Sequence, residues 1–205
     1  MIMPKRTNGK RAENIAKILK NGGIGVLPTD TLYGLVGRAE DKKAVSRVKK
    51  LKQRSAGKPF IVLISGLKDL TKFKIKLDKK TESFLKTIWP GPVSIILESK
   101  SEKFKYLHLG KKTLAFRWPK NELLNTIIKQ TGPLVAPSAN PEGSPPAETT
   151  KQAKKYFGNQ VDFYLSAGKR LSGQPSTLIK LTDEKIEVLR QGRYRTKHEI
   201  TNQKF

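Results

Sequence analysis

A single α/β domain is the fold this sequence predicts, and three features predict it. Short apolar runs of strand length, such as 60–64 and 93–97, alternate with segments whose apolar residues recur at helical spacing. Glycine and proline punctuate the boundaries, as in Asn21-Gly22-Gly23 and Pro90-Gly91-Pro92. A length of 205 residues suits one such domain with a full core and is short for two ordinary ones.

Residues 1–10 read as a flexible basic arm. Ala12, Ile15, Ala16, Ile18 and Leu19 place a helix over 11–20, which Asn21, Gly22 and Gly23 stop. A short buried strand over 24–27 leads into Pro28-Thr29-Asp30-Thr31-Leu32-Tyr33-Gly34-Leu35, a polar loop at a strand exit, where open α/β sheets keep their ligands. The same residues also read as an Asx or Thr turn capping the next element. Asp41 is the candidate N-cap of a helix over 41–53 with Ala44, Val45, Val48 and Leu51 on its apolar face. Its end, KKLKQRSAGKPF, crosses a glycine-containing turn into the strand 60–64, expected at the centre of the sheet. Lys52, Arg54 and Lys58 are thereby delivered to one place.

A helix over 79–89 and a strand over 93–97 follow, then a polar, basic loop over 98–111. The strand 113–118 carries Arg117 near its exit, and an amphipathic helix occupies 122–130. A strand over 134–136 runs into Pro137-Ser138-Ala139-Asn140-Pro141, a second strand exit with small polar groups. A Pro/Gly loop at 142–146, a helix at 150–157 and closing strands at 161–165, 176–181 and 186–189 complete the domain, with a mobile loop at 166–175. From 191 on, the chain reads as a polar tail, disordered or draped over the domain. In domain terms the expectation is an arm over 1–10, a folded domain over 11–192 and a tail over 193–205.

Composition narrows the chemistry. There are 42 Lys plus Arg against 17 Asp plus Glu, a net charge of +25, which points to a polyanionic partner but spreads along the chain and locates no site. The absence of cysteine removes disulfides, thiolate zinc sites and cysteine nucleophiles, and with the lack of any long apolar run suggests a soluble, cytoplasmic protein. His108 and His198, the two histidines, lie in polar surroundings and read as surface residues. Hydrolytic triads therefore lack a patterned base, and Walker A and Rossmann glycine fingerprints are absent. What remains is Lys52, Arg54, Lys58, Arg117 and Arg190 with Thr31, Thr113, Ser138, Asn140 and Ser176, all at strand ends or turns. Such a set binds several anions and offers no nucleophile, so its chemistry would rest on placement and charge, as in phosphoryl or nucleotidyl transfer.

The segments PTDTLYGL, KQRSAGKP, WPGPVSIIL, LAFRWP, PSAN, PSTLI and VLRQG occur in that order over 24–192. Together they resemble the YrdC-like family, the threonylcarbamoyl-AMP synthases of tRNA modification, and by length its short bacterial form, TsaC. The resemblance implies a single-domain twisted open mixed sheet with flanking helices and a deep basic cavity. It implies a reaction of L-threonine, bicarbonate and ATP giving L-threonylcarbamoyladenylate and pyrophosphate, the donor for N6-threonylcarbamoyladenosine at position 37 of tRNAs reading ANN codons. Mg2+ would be held mainly by the ATP phosphates, with no metal site on the chain. Position by position, Lys52 and Arg54 match catalytic signature residues. Arg54, Lys58, Thr113, Ser138, Asn140 and Arg190 match ATP-binding positions, and Thr31, Arg117, Ala136 and Ser176 match those around threonine. The implied partners are the downstream transfer machinery, TsaB, TsaD and TsaE, and tRNA or double-stranded RNA. Leu63 and Pro146 depart from the pattern, standing where some members place a histidine and a serine. A non-catalytic basic RNA-binding module is the rival reading, and it predicts salt-sensitive RNA binding without ATP consumption.

Overall fold

The computed structural model describes residues 5–55, 57–168, 171, 173–181 and 186–195. Its helices are α1 (Lys5–Lys20), α2 (Lys42–Lys52), α3 (Lys79–Ile88), α4 (Lys105–His108), α5 (Glu122–Thr131) and α6 (Thr150–Phe157). Its strands are β1 (Gly25–Pro28), β2 (Tyr33–Arg38), β3 (Ile61–Leu63), β4 (Val93–Glu98), β5 (Thr113–Arg117), β6 (Leu134–Val135), β7 (Phe163–Tyr164), β8 (Thr177–Leu181) and β9 (Ile186–Arg190). Among the described residues these strands form one mixed sheet in the order β7-β1-β2-β6-β3-β5-β4-β8-β9, with β3 at its centre as expected. The pairs β1/β7, β3/β5 and β4/β8 are parallel, and the other neighbours are antiparallel.

Alternation along the strands divides the core between two faces. Leu27, Val36, Leu63 and Leu134 turn to the side covered by α1 and α5 through Ala12, Ile15, Leu19, Leu124, Ile127 and Ile128. Their neighbours Val26, Leu35, Val62 and Val135 turn to the other side, packing with Val45 and Val48 of α2, Leu85 and Ile88 of α3, and Phe157 of α6. With both faces covered, the sheet leaves ligands its strand ends. Asp41 caps α2 as expected, accepting from the N–H groups of Lys43 and Ala44. The helix stops where Gln53 turns left-handed (φ 48°), with its N–H on the carbonyls of Lys49 and Lys50.

Several expectations need correction. α1 starts at Lys5, so residues 5–10 of the expected arm are helical, while 1–4 lie outside the described residues. The segment KRTNGK has no apolar residue, so it carries no apolar period to read. β2 was not expected: the polar loop is confined to 29–32, and YGLVGR pairs antiparallel with β1. Burial on both faces removes the alternation that would have marked it. The expected loop 98–111 contains a 3-10 turn at Glu102–Phe104 and α4, and another 3-10 segment spans Leu67–Phe73. His108, expected at the surface, is fully buried, its Nδ1 accepting from the Gly110 N–H, whereas His198 lies outside the described residues. The start of the tail drapes over β8, where the Gly192 N–H meets Thr177 Oγ1 and the Arg193 N–H meets the Pro175 carbonyl; 196–205 lie outside the described residues. Among the described residues no helix is long and apolar enough to cross a membrane.

Candidate active site

The loops after β1, α2 and β6 meet the segment before β8 around a cleft of about 610 Å³. Thr31, Lys52, Arg54, Lys58, Arg117, Ala136, Ser138, Asn140, Ser176 and Arg190 all line it. Thr113 does not join them. It opens β5 opposite Glu98, whereas Arg117 closes that strand in the cleft, so Thr113 stands at the strand's far end. The fold thus does not bring Thr113 to the cleft with the other residues expected at ATP. Leu63 packs in the α1/α5 layer of the core, while Pro146 lines the cleft.

At the deep end, Thr29 Oγ1 accepts from the N–H groups of Thr31 and Leu32 and donates to the Leu32 carbonyl, so the threonine-turn reading of this loop holds alongside the site reading. The turn sets Thr31 Oγ1 3.0 Å from the Arg117 guanidinium and holds Asp30 Oδ1 3.5 Å from it. Arg117 is 5% exposed, and burial lowers its pKa, which Asp30 raises and Arg190 lowers. Asp30 Oδ1 and Arg117 Nε have no hydrogen-bond partner, so the pair is close without being closed. Arg190 donates from Nε and one terminal nitrogen to the Ser176 carbonyl at 3.2 and 2.9 Å, and Ser176 Oγ lies 2.8 Å from Ser94 Oγ. A residue expected among the ATP contacts thus stands beside one expected near threonine, at the junction of the two halves. Gly173 lies against the Thr31 carbonyl, where a Cβ would stand 2.7 Å from the oxygen.

Lys52, 5% exposed, ties α2 to the loop after β6: its ammonium donates to Asn140 Oδ1 at 2.8 Å, the Ser138 carbonyl at 3.0 Å and Ser138 Oγ at 3.1 Å. Asn140 Nδ2 donates in turn to the carbonyls of Pro141 and Ser144. With three donors engaged, Lys52 offers a ligand its charge rather than a hydrogen bond. Burial and then the neighbouring Arg54 pull its pKa down to about 8, opposed by Glu142. Asn140 shapes the loop with the same economy, since both ends of its amide are occupied within the protein.

At the rim, Arg54 Nε donates to the Lys58 carbonyl at 2.9 Å and a terminal nitrogen to that of Pro59 at 2.7 Å, with the guanidinium 4.9 Å from the centre of the Phe60 ring. Lys58 is ion-paired with Glu142, whose other carboxylate oxygen accepts from the Ser55 N–H. The Lys58 bond, followed by Ser55, holds the Glu142 carboxyl down at about 2. Sequence reasoning passed over Glu142 as part of a Pro/Gly loop and Asp30 as part of a turn. The sequence signal for each was an acid in a small polar loop at a strand exit, Asp30 between Thr29 and Thr31 and Glu142 two positions after Asn140. Among the described residues no group of three or more His, Cys, Asp or Glu gathers to hold a metal.

Comparison with known proteins bears on this cleft. The Sua5/YciO/YrdC family model, described as "Telomere recombination", matches residues 17–192. A Nitrosococcus oceani protein named threonylcarbamoyl-AMP synthase is 34% identical over 163 residues, 78% of this chain and 88% of that protein. A Pyrococcus abyssi protein of the same name is 30% identical over 178 residues, 86% of this chain but 52% of that one, so the chain spans about half of that relative's length. The crystal structure of Pyrococcus abyssi Sua5 complexed with L-threonine superposes with a TM-score of 0.82 at 30% identity, covering 90% of this chain and 54% of that one.

Proposed function

This chain belongs to the Sua5/YciO/YrdC family, and on that footing we propose that it is a threonylcarbamoyl-AMP synthase, a nucleotidyltransferase joining L-threonine, bicarbonate and ATP. The observation that carries the reading is convergence. Lys52 at the end of α2, Arg54 in the turn after it, Arg117 at the end of β5 and Arg190 at the end of β9 finish around one cleft with Thr31, Ser138 and Ser176. The names of the relatives and the threonine complex of the Pyrococcus abyssi protein support it.

In this reading the threonine carboxylate lies against Arg117 and Thr31, since a guanidinium and a hydroxyl are the donors a carboxylate favours. The threonine amine attacks bicarbonate, releasing water and leaving a carbamate. A carbamate oxygen then attacks the α-phosphate, and pyrophosphate departs. Arg54, Lys58 and Arg190 hold phosphate oxygens, and the fixed charge of Lys52 offsets the negative charge that grows on carbamate and phosphate. Because Lys52 and Asn140 are already bound to each other, little rearrangement accompanies that step. Magnesium would arrive on the nucleotide's phosphates.

ATP, L-threonine, bicarbonate and the tRNA-directed use of the product are parts of this proposal, as are TsaB, TsaD and TsaE and an RNA contact by the basic surface. So are a folded domain followed by a tail over 193–205, and a place in the cytoplasm. The test is pyrophosphate release from ATP with threonine and bicarbonate omitted in turn, in wild type and Arg54→Ala. Release that needs both co-substrates and vanishes in the variant is expected. Release that ignores either co-substrate, or an Arg54→Ala protein as active as wild type, would refute the assignment.

A further inference from the structure

We propose that the Glu142 carboxylate competes with the terminal phosphates of the nucleotide for Lys58 and the Ser55 N–H, so that ATP binds by exchanging a phosphate for this side chain. The inference rests on the nucleotide reading above and adds to it a subsite and the residue that tunes it. Glu142 presents two oxygens to two donors three residues apart on the turn after α2, one to the Lys58 ammonium and one to the Ser55 N–H. A backbone N–H beside a lysine ammonium is a donor set that phosphate also takes. The carboxylate stands there as a phosphate would.

Charge singles the residue out. Among the described lining residues Glu142 is the sole acid, facing Lys52, Arg54, Lys58, Arg117 and Arg190. It raises the proton affinity of Lys52 and Arg54, which puts its field on the same cations that phosphates would use. An acid in such a place weakens anion binding unless it can leave. It can: its side chain is 27% exposed, and Gly143 beside it (φ 86°) has open space within 4 Å of where a Cβ would be. The backbone stays anchored, because the Glu142 N–H donates to the Lys52 carbonyl at 2.8 Å. Release therefore moves a side chain and leaves the loop in place.

The test is calorimetric binding of ATP, inorganic tripolyphosphate and AMP, without threonine, to wild type, Glu142→Gln, Glu142→Asp, Lys58→Gln and the Glu142→Gln/Lys58→Gln double variant. Glu142→Gln should bind ATP and tripolyphosphate about threefold to fivefold more tightly, the scale of a partly exposed ion pair, and AMP no more tightly. Glu142→Asp should stay near wild type, and adding Glu142→Gln to Lys58→Gln should give no gain. Equal or weaker ATP binding by Glu142→Gln would overturn the exchange, and an equal gain for AMP would overturn the terminal-phosphate subsite. A wild type that binds ATP, shows the gain in Glu142→Gln and yet releases no threonine-dependent pyrophosphate would leave the subsite standing and sink the synthase reading. A wild type that binds none of the three would sink both.

Discussion

At the deep end of the cleft Arg117 is 5% exposed and is held by Thr31 at 3.0 Å and Asp30 at 3.5 Å, whereas at the rim Lys58 has 58% of its side chain in solvent and one carboxylate partner, Glu142. The two cations differ in what fixes them. Arg117 cannot shed its partner without leaving a charge in a place water hardly reaches. Lys58 can trade one anion for another at little cost. A rigid deep end suits selection of a small amino acid, whose carboxylate must find donors already aimed. An exchangeable rim suits a flexible triphosphate chain that arrives with its own charge.

The comparison is broken most severely at Arg117. Arg117→Ala removes the cation beside Asp30, whose other carboxylate oxygen keeps the Lys120 N–H, and loss of one partner of a buried pair costs about 3–5 kcal/mol. Denaturant unfolding should show that loss, and threonine-dependent pyrophosphate release should disappear with it. A loss below about 1 kcal/mol, the range of exposed pairs, would mean that both ends are held alike.

A smaller effect comes from pH. Lys52 titrates near 8 in the folded protein against 10.5 as an ordinary lysine, so its charge is present at neutral pH and is lost as pH rises through about 8. ATP binding measured without threonine should weaken across that window. Stability should move the other way between about 8 and 10.5, because there the unfolded chain binds the proton that the folded one has released. ATP affinity that is flat from about pH 7 to 9 would show that the charge is not used.

The smallest change sharpens the map itself. Thr113→Val should leave the KM for ATP unaltered and stability within about 0.5 kcal/mol, since that residue opens β5 away from the cleft. A clear rise in the KM would return it to the nucleotide site.

Much of the fold was legible because burial writes a period into the chain. The apolar spacing in α2, α3, α5 and α6 and the capping Asp41 are visible without coordinates. β2 was not, since a strand covered on both faces has no alternation, and neither were the short turns around Phe104 and Leu70, whose burial is set by distant neighbours. The cations and hydroxyls of the cleft could be picked out as residue types at strand ends, except that Thr113 and Arg117 share one strand and only one end of it faces the cleft. Asp30 and Glu142 became visible as members of the site only through their partners.

By itself the sequence determined the kind of fold, its central strand, and the stock of positive charge and small polar groups from which a site could be made, because those follow from local pattern and composition. Which of those groups meet was decided by the tertiary structure. Lys52 and Asn140 are 88 positions apart along the chain and 2.8 Å apart in the fold, and the field around each charge depends on neighbours that only the folded chain supplies.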